Sequence, residues 1–188
     1  MLPITVDLAR VRVALVGNGD AACRRLALLD RAGATRLEVY GTAPGAELAA
    51  AAGVRLRRRL PRAEEISRAQ LVFLAGVGEP VASRLRQIAD TAGVLLNVED
   101  DIVRSDFHSP AVVRRGDLTV AISTDGKSPG LAAAIRRQVD ACFGPEWAAR
   151  LDCAAALRSR WRDAGLDTAT VARLTMSWLD REGAASRG

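Results

Sequence analysis

Apolar positions in the first hundred residues fall into two alternating kinds of pattern. Short runs rich in Val and Leu, VRVALV (11–16), LEVY (37–40), VRLRRRL (54–60), LVFLAG (71–76) and VLLNV (94–98), have the length and content of strands. Between them apolar residues recur every three or four positions, which predicts helices over 20–31, 43–53, 62–69 and 80–93, with Gly33 and Gly53 ending the first two. Strands alternating with helices at this spacing predict right-handed βαβ units and a parallel, doubly wound α/β sheet.

The pattern changes after residue 105. AVVRR, a Gly-Asp turn at 116 and 117, and LTVAIS with period-two alternation predict a hairpin. Ser128 is placed to cap a helix with Pro129 at its first position, over roughly 131–143, and the Gly-Pro pair at 144 and 145 breaks it. Residues 146–164 and 168–181 read as two amphipathic helices, followed by a polar, poorly ordered tail after Glu182. The expected organisation is therefore a Rossmann-like domain over 1–108, a hairpin and helix segment over 109–145, and a small helical domain over 146–188.

Charge and composition narrow the function classes. The net charge of +5 comes from 27 basic against 22 acidic residues, and Lys127 is the sole lysine. Arginine suits a ligand rich in carboxylates, which its planar fork binds bidentately. Nucleic acid is not expected, because only 4% of residues are aromatic, the basic residues are dispersed and no nucleic-acid-binding signature is present. No apolar run is long enough to span a bilayer and MLPITVDLARVRVALVG lacks the regions of a signal peptide, so the expected location is the cytoplasm. The cysteines Cys23, Cys142 and Cys153 have no spacing for a zinc site or disulfide framework and are expected to be buried thiols. The run Arg55, Arg57, Arg58, Arg59 and Arg62 is expected to be a solvated strand edge.

Two stretches carry candidate chemistry. Gly17-Asn18-Gly19-Asp20-Ala21-Ala22 fits G-x-G-x-x-A between a strand and a helix, the context in which glycines let a pyrophosphate approach unpaired N–H groups at a helix N-terminus. The cofactor-binding residues expected are Gly17, Asn18, Gly19, Asp20 and Ala21, with Thr42 and Ala43 after the second strand and Gly76 and Val77 after the fourth. Val39-Tyr40-Gly41-Thr42 has no carboxylate for the adenosine ribose, Thr42 offers a weaker hydrogen bond, and Arg36 stands too early for a 2′-phosphate, so NAD is preferred over NADP. The second stretch, LNVEDDIVRSDFHSP (96–110), gathers Glu99, Asp100, Asp101, Asp106 and His108, and reads as a metal site, an acid/base site or a solvated loop.

Taken with SPAVVRRGDLTVAISTDGKSPGLA (109–132), these motifs resemble the precorrin-2 dehydrogenase and sirohydrochlorin ferrochelatase family, the first module of siroheme synthases. The resemblance covers residues 1 to about 145 and its most specific parts are P-A-x-V-x-R-G-x-L and A-I-S-T-x-G-K-S-P. It implies NAD-dependent oxidation of precorrin-2 to sirohydrochlorin, ferrous iron insertion in bifunctional members, and a homodimer in which 109–145 is the dimerisation segment and the C-terminal helices help enclose the tetrapyrrole. It implies Asp100 as the catalytic carboxylate, which accepts protons and transiently holds the metal during chelation. Its position at the C-terminal end of a parallel strand is a separate reason to favour it. Substrate carboxylates are expected at Ser123, Thr124, Lys127 and Ser128.

The neighbours of Asp100 are weaker candidates. A lone histidine cannot build a tight transition-metal site, so His108 is expected to be a loop or packing residue. Glu99 and Asp101 are expected on the rim or capping the turn, and Asp106 in a salt bridge or cap. Leu74-Ala75-Gly76-Val77-Gly78-Glu79 departs from the family's A-A-T-D-D segment, and Asp125 from its S-T-G-G form. These departures motivate an alternative expectation, a chelatase-only or non-catalytic tetrapyrrole-binding protein.

Overall fold

The computed structural model describes residues 2–185. The chain divides after Ser109 into two compact units, each described by itself.

The first unit is a five-stranded parallel sheet in the order β3-β2-β1-β4-β5, formed by β1 (Arg12–Gly17), β2 (Arg36–Tyr40), β3 (Leu56–Arg57), β4 (Leu71–Ala75) and β5 (Leu95–Val98). Helices α1 (Gly19–Arg31), α2 (Gly45–Ala52), α3 (Ala63–Arg68) and α4 (Glu79–Ala92) alternate with the strands. Successive side chains of a strand point to opposite faces, so the unbroken apolar runs supply two cores. One gathers Val13, Leu15, Val39 and Phe73 with Leu26, Leu29 and Leu48 of α1 and α2. The other gathers Val16, Val72, Leu74, Leu96 and Val98 with Ile66 of α3 and Leu85 of α4. Each such fully buried aliphatic side chain contributes about 1.5–3 kcal/mol. Chain order reverses between β1 and β4, so a ligand crevice is expected beyond the C-terminal ends of those strands.

The third strand corrects an expectation. Pairing is confined to Leu56 and Arg57, and Gly53–Arg55 form a 3₁₀ turn instead of extending the strand. The arginine side chains explain this. Arg55 bonds the Ala51 and Ala52 carbonyls at the end of α2 and both carboxylate oxygens of Asp30, at 2.5 and 3.1 Å, which needs a coiled backbone there. Arg57 lies 3.5 Å from Glu38, and Arg59 grips both oxygens of Glu65 at 2.6 and 2.7 Å. Three arginines of the run are thus in ion pairs, not simply solvated.

The second unit begins with the antiparallel hairpin β6 (Ala111–Arg115) and β7 (Leu118–Ile122), turning at Gly116, whose φ is 57°. Helix α5 (Pro129–Cys142) starts at Pro129 with Ser128 as its cap, as expected, and the Ser128 hydroxyl accepts the Leu131 N–H at 3.2 Å. Arg115 joins hairpin to helix through the Asp140 carboxylate at 2.8 Å. Helices α6 (Trp147–Asp163) and α7 (Thr168–Ala185) follow. Helix α7 runs on to Ala185 where a tail was expected after Glu182, and the last three residues of that tail lie outside the described residues.

The expected buried thiols are corrected too. Cys142, the last residue of α5, and Cys153, on α6, which has no buried residue, are exposed, and Cys23 is half-buried. Burial, then the carboxylates of Glu47 and Asp20, push the Cys23 thiol up. Among the described residues, no helix is long and apolar enough to cross a membrane.

Candidate functional site

The glycine turn closes the C-terminal edge of the sheet at the point where strand order reverses. A Cβ on Gly17 would lie 2.0 Å from the Ala75 carbonyl oxygen, so β1 and β4 approach there only because the position has no side chain. Asn18 donates its N–H to that same carbonyl at 3.2 Å and accepts the Ala43 N–H on its side-chain oxygen at 2.8 Å. Gly76, with φ 66°, lies under the Asn18 carbonyl, where a Cβ would approach to 2.5 Å, and a Cβ on Gly41 would come within 2.7 Å of the Gly17 carbonyl. Gly17, Asn18, Ala43 and Gly76 are thereby gathered around one junction of three strand ends. Gly41 was not among the expected site residues; the signal for it was the glycine directly ending a strand beside the missing carboxylate.

Gly19 differs from these packed glycines. Its φ is 62° and nothing lies within 4 Å of where a Cβ would stand, so the first turn of α1 is open above it. The leading N–H groups of an α-helix have no intrahelical partners and carry positive potential. Open space over a left-handed glycine at a helix start fits a diphosphate, and these residues are suited to a dinucleotide. Asp20 complements the helix end electrostatically and, with Cys23, Arg24, Ala27 and Glu47, lines a shallow depression of about 240 Å³ along α1. Ala21 is half-buried, with its methyl 3.4 Å from the Cβ position of Gly76.

The rest of the adenosine side is sparse. Thr42 is exposed at the end of β2, and the nearest carboxylate in that strand, Glu38, is occupied by the Tyr40 hydroxyl at 2.6 Å and by Arg57. Burial, then the hydrogen bond to Glu38, push the Tyr40 phenol up. Arg36 is the first residue of β2, at the opposite end of the strand. Val77 packs against the core on the α3 and α4 side.

Asp100 stands just beyond β5, exposed, with φ 61°. Its strand pairs with β4 in the same sheet, and strands lie about 4.8 Å apart, so β5 ends roughly 10 Å from the glycine turn of β1. The neighbouring carboxylates are engaged. Glu99 lies 3.7 Å from Arg24 of α1, Asp101 accepts the Arg104 N–H at 3.1 Å, and Asp106 accepts Arg86 at 2.7 Å and the Leu96 N–H at 2.8 Å. Asp100 is thus exposed with no hydrogen bond or ion pair among the described residues, while the other three acids, exposed Asp106 included, hold the loop. Arg25 lies behind it, donating to Ser109 at 2.7 Å with its guanidinium 5.2 Å from the Phe73 ring centre. Burial pulls the Arg25 guanidinium below its ordinary value, and the charges of Glu99 and Asp100 oppose that. Arg24 and Arg25 were not anticipated; they fall one turn into α1 and side with the end of β5 only once the sheet order is known.

His108 has a buried Nε2 without a hydrogen-bond partner among the described residues, as does Oδ1 of the buried Asn97. The Asn97 amide donates to the Phe107 carbonyl at 2.9 Å. Among the described residues, no group of three His, Cys, Asp or Glu side chains is placed to hold a metal ion.

The expected substrate residues lie in the second unit. The Thr124 hydroxyl is tied to the backbone of Ser128 at 3.0 and 3.3 Å, and the Ser123 hydroxyl accepts the Asp125 N–H at 3.1 Å. Ser128 caps α5, while Lys127 is exposed at the tip. Three of the four side chains therefore shape the loop, and Lys127 is the one presented outward.

Residues 4–111 match the family described as "Putative NAD(P)-binding", and residues 115–141 match "Sirohaem biosynthesis protein central". Siroheme synthase of Methylococcus capsulatus is 33% identical over 165 residues, 87% of this chain and 35% of that protein. Siroheme synthase 1 of Aeromonas salmonicida is 38% identical over 162 residues, 85% of this chain and 34% of that protein. The chain thus spans about a third of the length of these curated relatives. The solved structure of SirC, precorrin-2 dehydrogenase, has the same fold, with a TM-score of 0.69 at 22% identity over 94% of this chain and 88% of that one.

Proposed function

The chain belongs to the NAD(P)-binding family and, with its sirohaem central segment, to the precorrin-2 dehydrogenase and sirohydrochlorin ferrochelatase family, and from that premise we propose that it oxidises precorrin-2 to sirohydrochlorin with NAD in siroheme biosynthesis. One observation carries the reading: the open turn at Gly19 and the exposed carboxylate of Asp100 share one edge of the sheet, two strands apart.

The oxidation removes a hydride, for which NAD held at the glycine turn would be the acceptor, and a proton, which Asp100 takes. Positioned general-base work of this kind is worth roughly 10² to 10⁴ in rate. Arg24 pairs with Glu99 next to Asp100, and Arg25 lies within electrostatic reach of Asp100, so positive charge stands beside the carboxylate. Ferrous iron, as a second substrate, enters sirohydrochlorin with loss of two pyrrole protons, for which the same carboxylate is the proton acceptor and transient ligand. Lys127, with Ser123, Thr124 and Ser128 shaping its loop, is assigned to a substrate carboxylate. The preference for NAD over NADP rests on the absence of an arginine at the end of β2.

The assembly proposed is a homodimer in which 109–145 forms the dimerisation segment and 146–188 the helical domain that helps enclose the tetrapyrrole. Its support is the second unit's own packing, in which α6 has no buried residue over 17 positions. The cytoplasm is the proposed compartment, which agrees with three cysteines present as free thiols. A second reading, a chelatase-only or non-catalytic tetrapyrrole-binding protein, is favoured by the lack of a carboxylate at the end of β2 and by Gly76-Val77-Gly78 in place of polar groups.

Anaerobic incubation of the protein with precorrin-2 and NAD is expected to give the sirohydrochlorin absorption spectrum, and Asp100→Asn to suppress it. Sirohydrochlorin binding with no NAD binding by calorimetry would sink the dehydrogenase reading and leave the second one.

A further inference from the structure

We propose that Ser105 is a positioning residue for Asp100, a claim that rests on the dehydrogenase reading above. The four residues from Val98 to Asp101 form a tight turn closed by the Asp101 N–H on the Val98 carbonyl at 3.2 Å. Asp100 is the third residue of that turn, in the left-handed region where non-glycine side chains crowd the backbone. Such a conformation persists where the surroundings over-determine it. Here the turn is exposed on the side that carries Asp100, so its support comes from beneath.

That support converges on one hydroxyl. Ser105 Oγ accepts the Val98 N–H at 2.9 Å and donates to the Asp101 carbonyl at 2.6 Å, with the Val98 carbonyl as a longer alternative at 3.2 Å. It therefore ties together the two residues that flank Glu99 and Asp100. Ser105 is itself held, through its N–H on the Ile102 carbonyl at 3.2 Å and by Asp106 next to it, which accepts the Leu96 N–H. Arg104 completes the brace, with its guanidinium on Asp101 at 3.1 Å and also bonded to Glu79 of α4. The consequence is that the backbone carrying Asp100 is fixed on both sides at the sheet edge, which limits where its carboxylate can stand. A general base needs that geometry before its proton affinity matters.

Replacing Ser105 by alanine removes the clamp and leaves the carboxylate. The test compares wild type, Ser105→Ala, Ser105→Thr and Asp100→Asn in anaerobic steady-state turnover of precorrin-2, together with amide hydrogen exchange. Misplacement of a reacting group by about 1 Å costs up to 10²-fold, so Ser105→Ala is expected to lower kcat by about 10- to 100-fold. KM for NAD is expected to stay within about twofold, since the glycine turn is untouched, and Ser105→Thr, which keeps the hydroxyl, to restore most of the loss. Exchange at the Val98 and Asp101 amides is expected to quicken in Ser105→Ala, with no change at the Leu15 amide inside β1. If Asp100→Asn abolishes turnover while Ser105→Ala keeps wild-type kcat, the positioning role is overturned and the dehydrogenase reading stands. If wild type itself does not turn over, that reading fails, and unaltered exchange at Val98 and Asp101 would overturn the clamp independently.

Discussion

Residues 12–98 cover both faces of a parallel sheet with their own helices, whereas residues 110–182 leave most of their apolar side chains half covered. The first unit buries leucines, valines and isoleucine on either side of the strands, many with no exposed surface at all. In the second, Val113, Ala132 and Val171 are the buried apolar residues among those described. Hairpin, capped helix and two long helices are all formed locally, by turn residues, a Ser128 cap and helical spacing, but none brings a full apolar face into its own core. The difference separates two jobs. A sheet that is self-sufficient holds its C-terminal edge still for Gly17, Gly19 and Asp100. A unit with faces to spare relies on whatever covers them, in the proposed assembly a second copy and the substrate.

The sharpest way to break this contrast is to delete equal amounts of apolar side chain from each unit. Leu26 of α1 is 1% exposed, and Leu26→Ala is expected to lower unfolding free energy by about 2–5 kcal/mol at any protein concentration. Leu157 lies half-buried on α6, and Leu157→Ala is expected to cost about 1 kcal/mol in dilute protein. Its cost should grow as concentration rises if a second copy covers it. Urea unfolding at two concentrations measures both, and Trp147, Trp161 and Trp178, all beyond Ser109, give a fluorescence signal confined to the second unit. Equal losses for the two variants in dilute protein would contradict the comparison.

A smaller effect separates the two units at their turns. Gly17 and Gly116 are both glycines at a strand end, but one is pressed against backbone and the other against a methyl group. A Cβ at Gly17 meets the Ala75 carbonyl oxygen at 2.0 Å, while at Gly116 it meets the Ala148 Cβ at 3.2 Å. Gly17→Ala forces β1 from β4 and is expected to destabilise by about 1–3 kcal/mol or more, with loss of NAD binding by calorimetry. Gly116→Asn keeps a residue that tolerates positive φ, so a cost of under about 1 kcal/mol and unchanged NAD binding are expected.

How far the sequence could be read follows the same division. In the first unit, strand and helix positions were legible because buried parallel strands are continuous apolar runs and the helices between them carry a clear stripe. The glycine turn was legible because phosphate approach demands glycines at set offsets. What escaped was set by contacts distant in sequence. Arg55 leaves the third strand to bond the end of α2 and Asp30, and no local period encodes that exchange. Arg24 and Arg25 acquire meaning only when α1 and β5 share an edge. Among the five acidic and histidine positions of 99–108, spacing could not tell which acids hold the loop; the partners of Glu99, Asp101 and Asp106 do. In the second unit, local elements were legible and burial was not, since Cys142 and Cys153 are exposed where thiols were expected to be buried.

The smallest expected effect tests how closed the first unit is at its edge, where the two-residue β3 is followed by an ion pair instead of more sheet. Glu65 accepts both nitrogens of the Arg59 fork and the Arg62 N–H at 2.7 Å at the start of α3, and Arg59 lies over the Tyr40 ring with 5.7 Å to its centre. The Arg59 hydrogen bonds first, then the Arg62 N–H, hold the Glu65 carboxyl at about 2, below its ordinary 4.5. Because the folded value is the lower one, the unfolded chain takes up the proton first. The stabilisation is therefore complete above about pH 4.5 and is lost as pH falls towards about 2. Arg59 is 41% exposed, so solvent screens the pair, and its contribution at neutral pH is expected to be no more than about 1 kcal/mol. Glu65→Gln should lower stability at pH 7 by that amount and converge on wild type near pH 2, measured by urea unfolding across the range. A difference that stays constant with pH would mean that Glu65 acts through packing alone, and that the edge of the first unit is closed by burial, as its centre is.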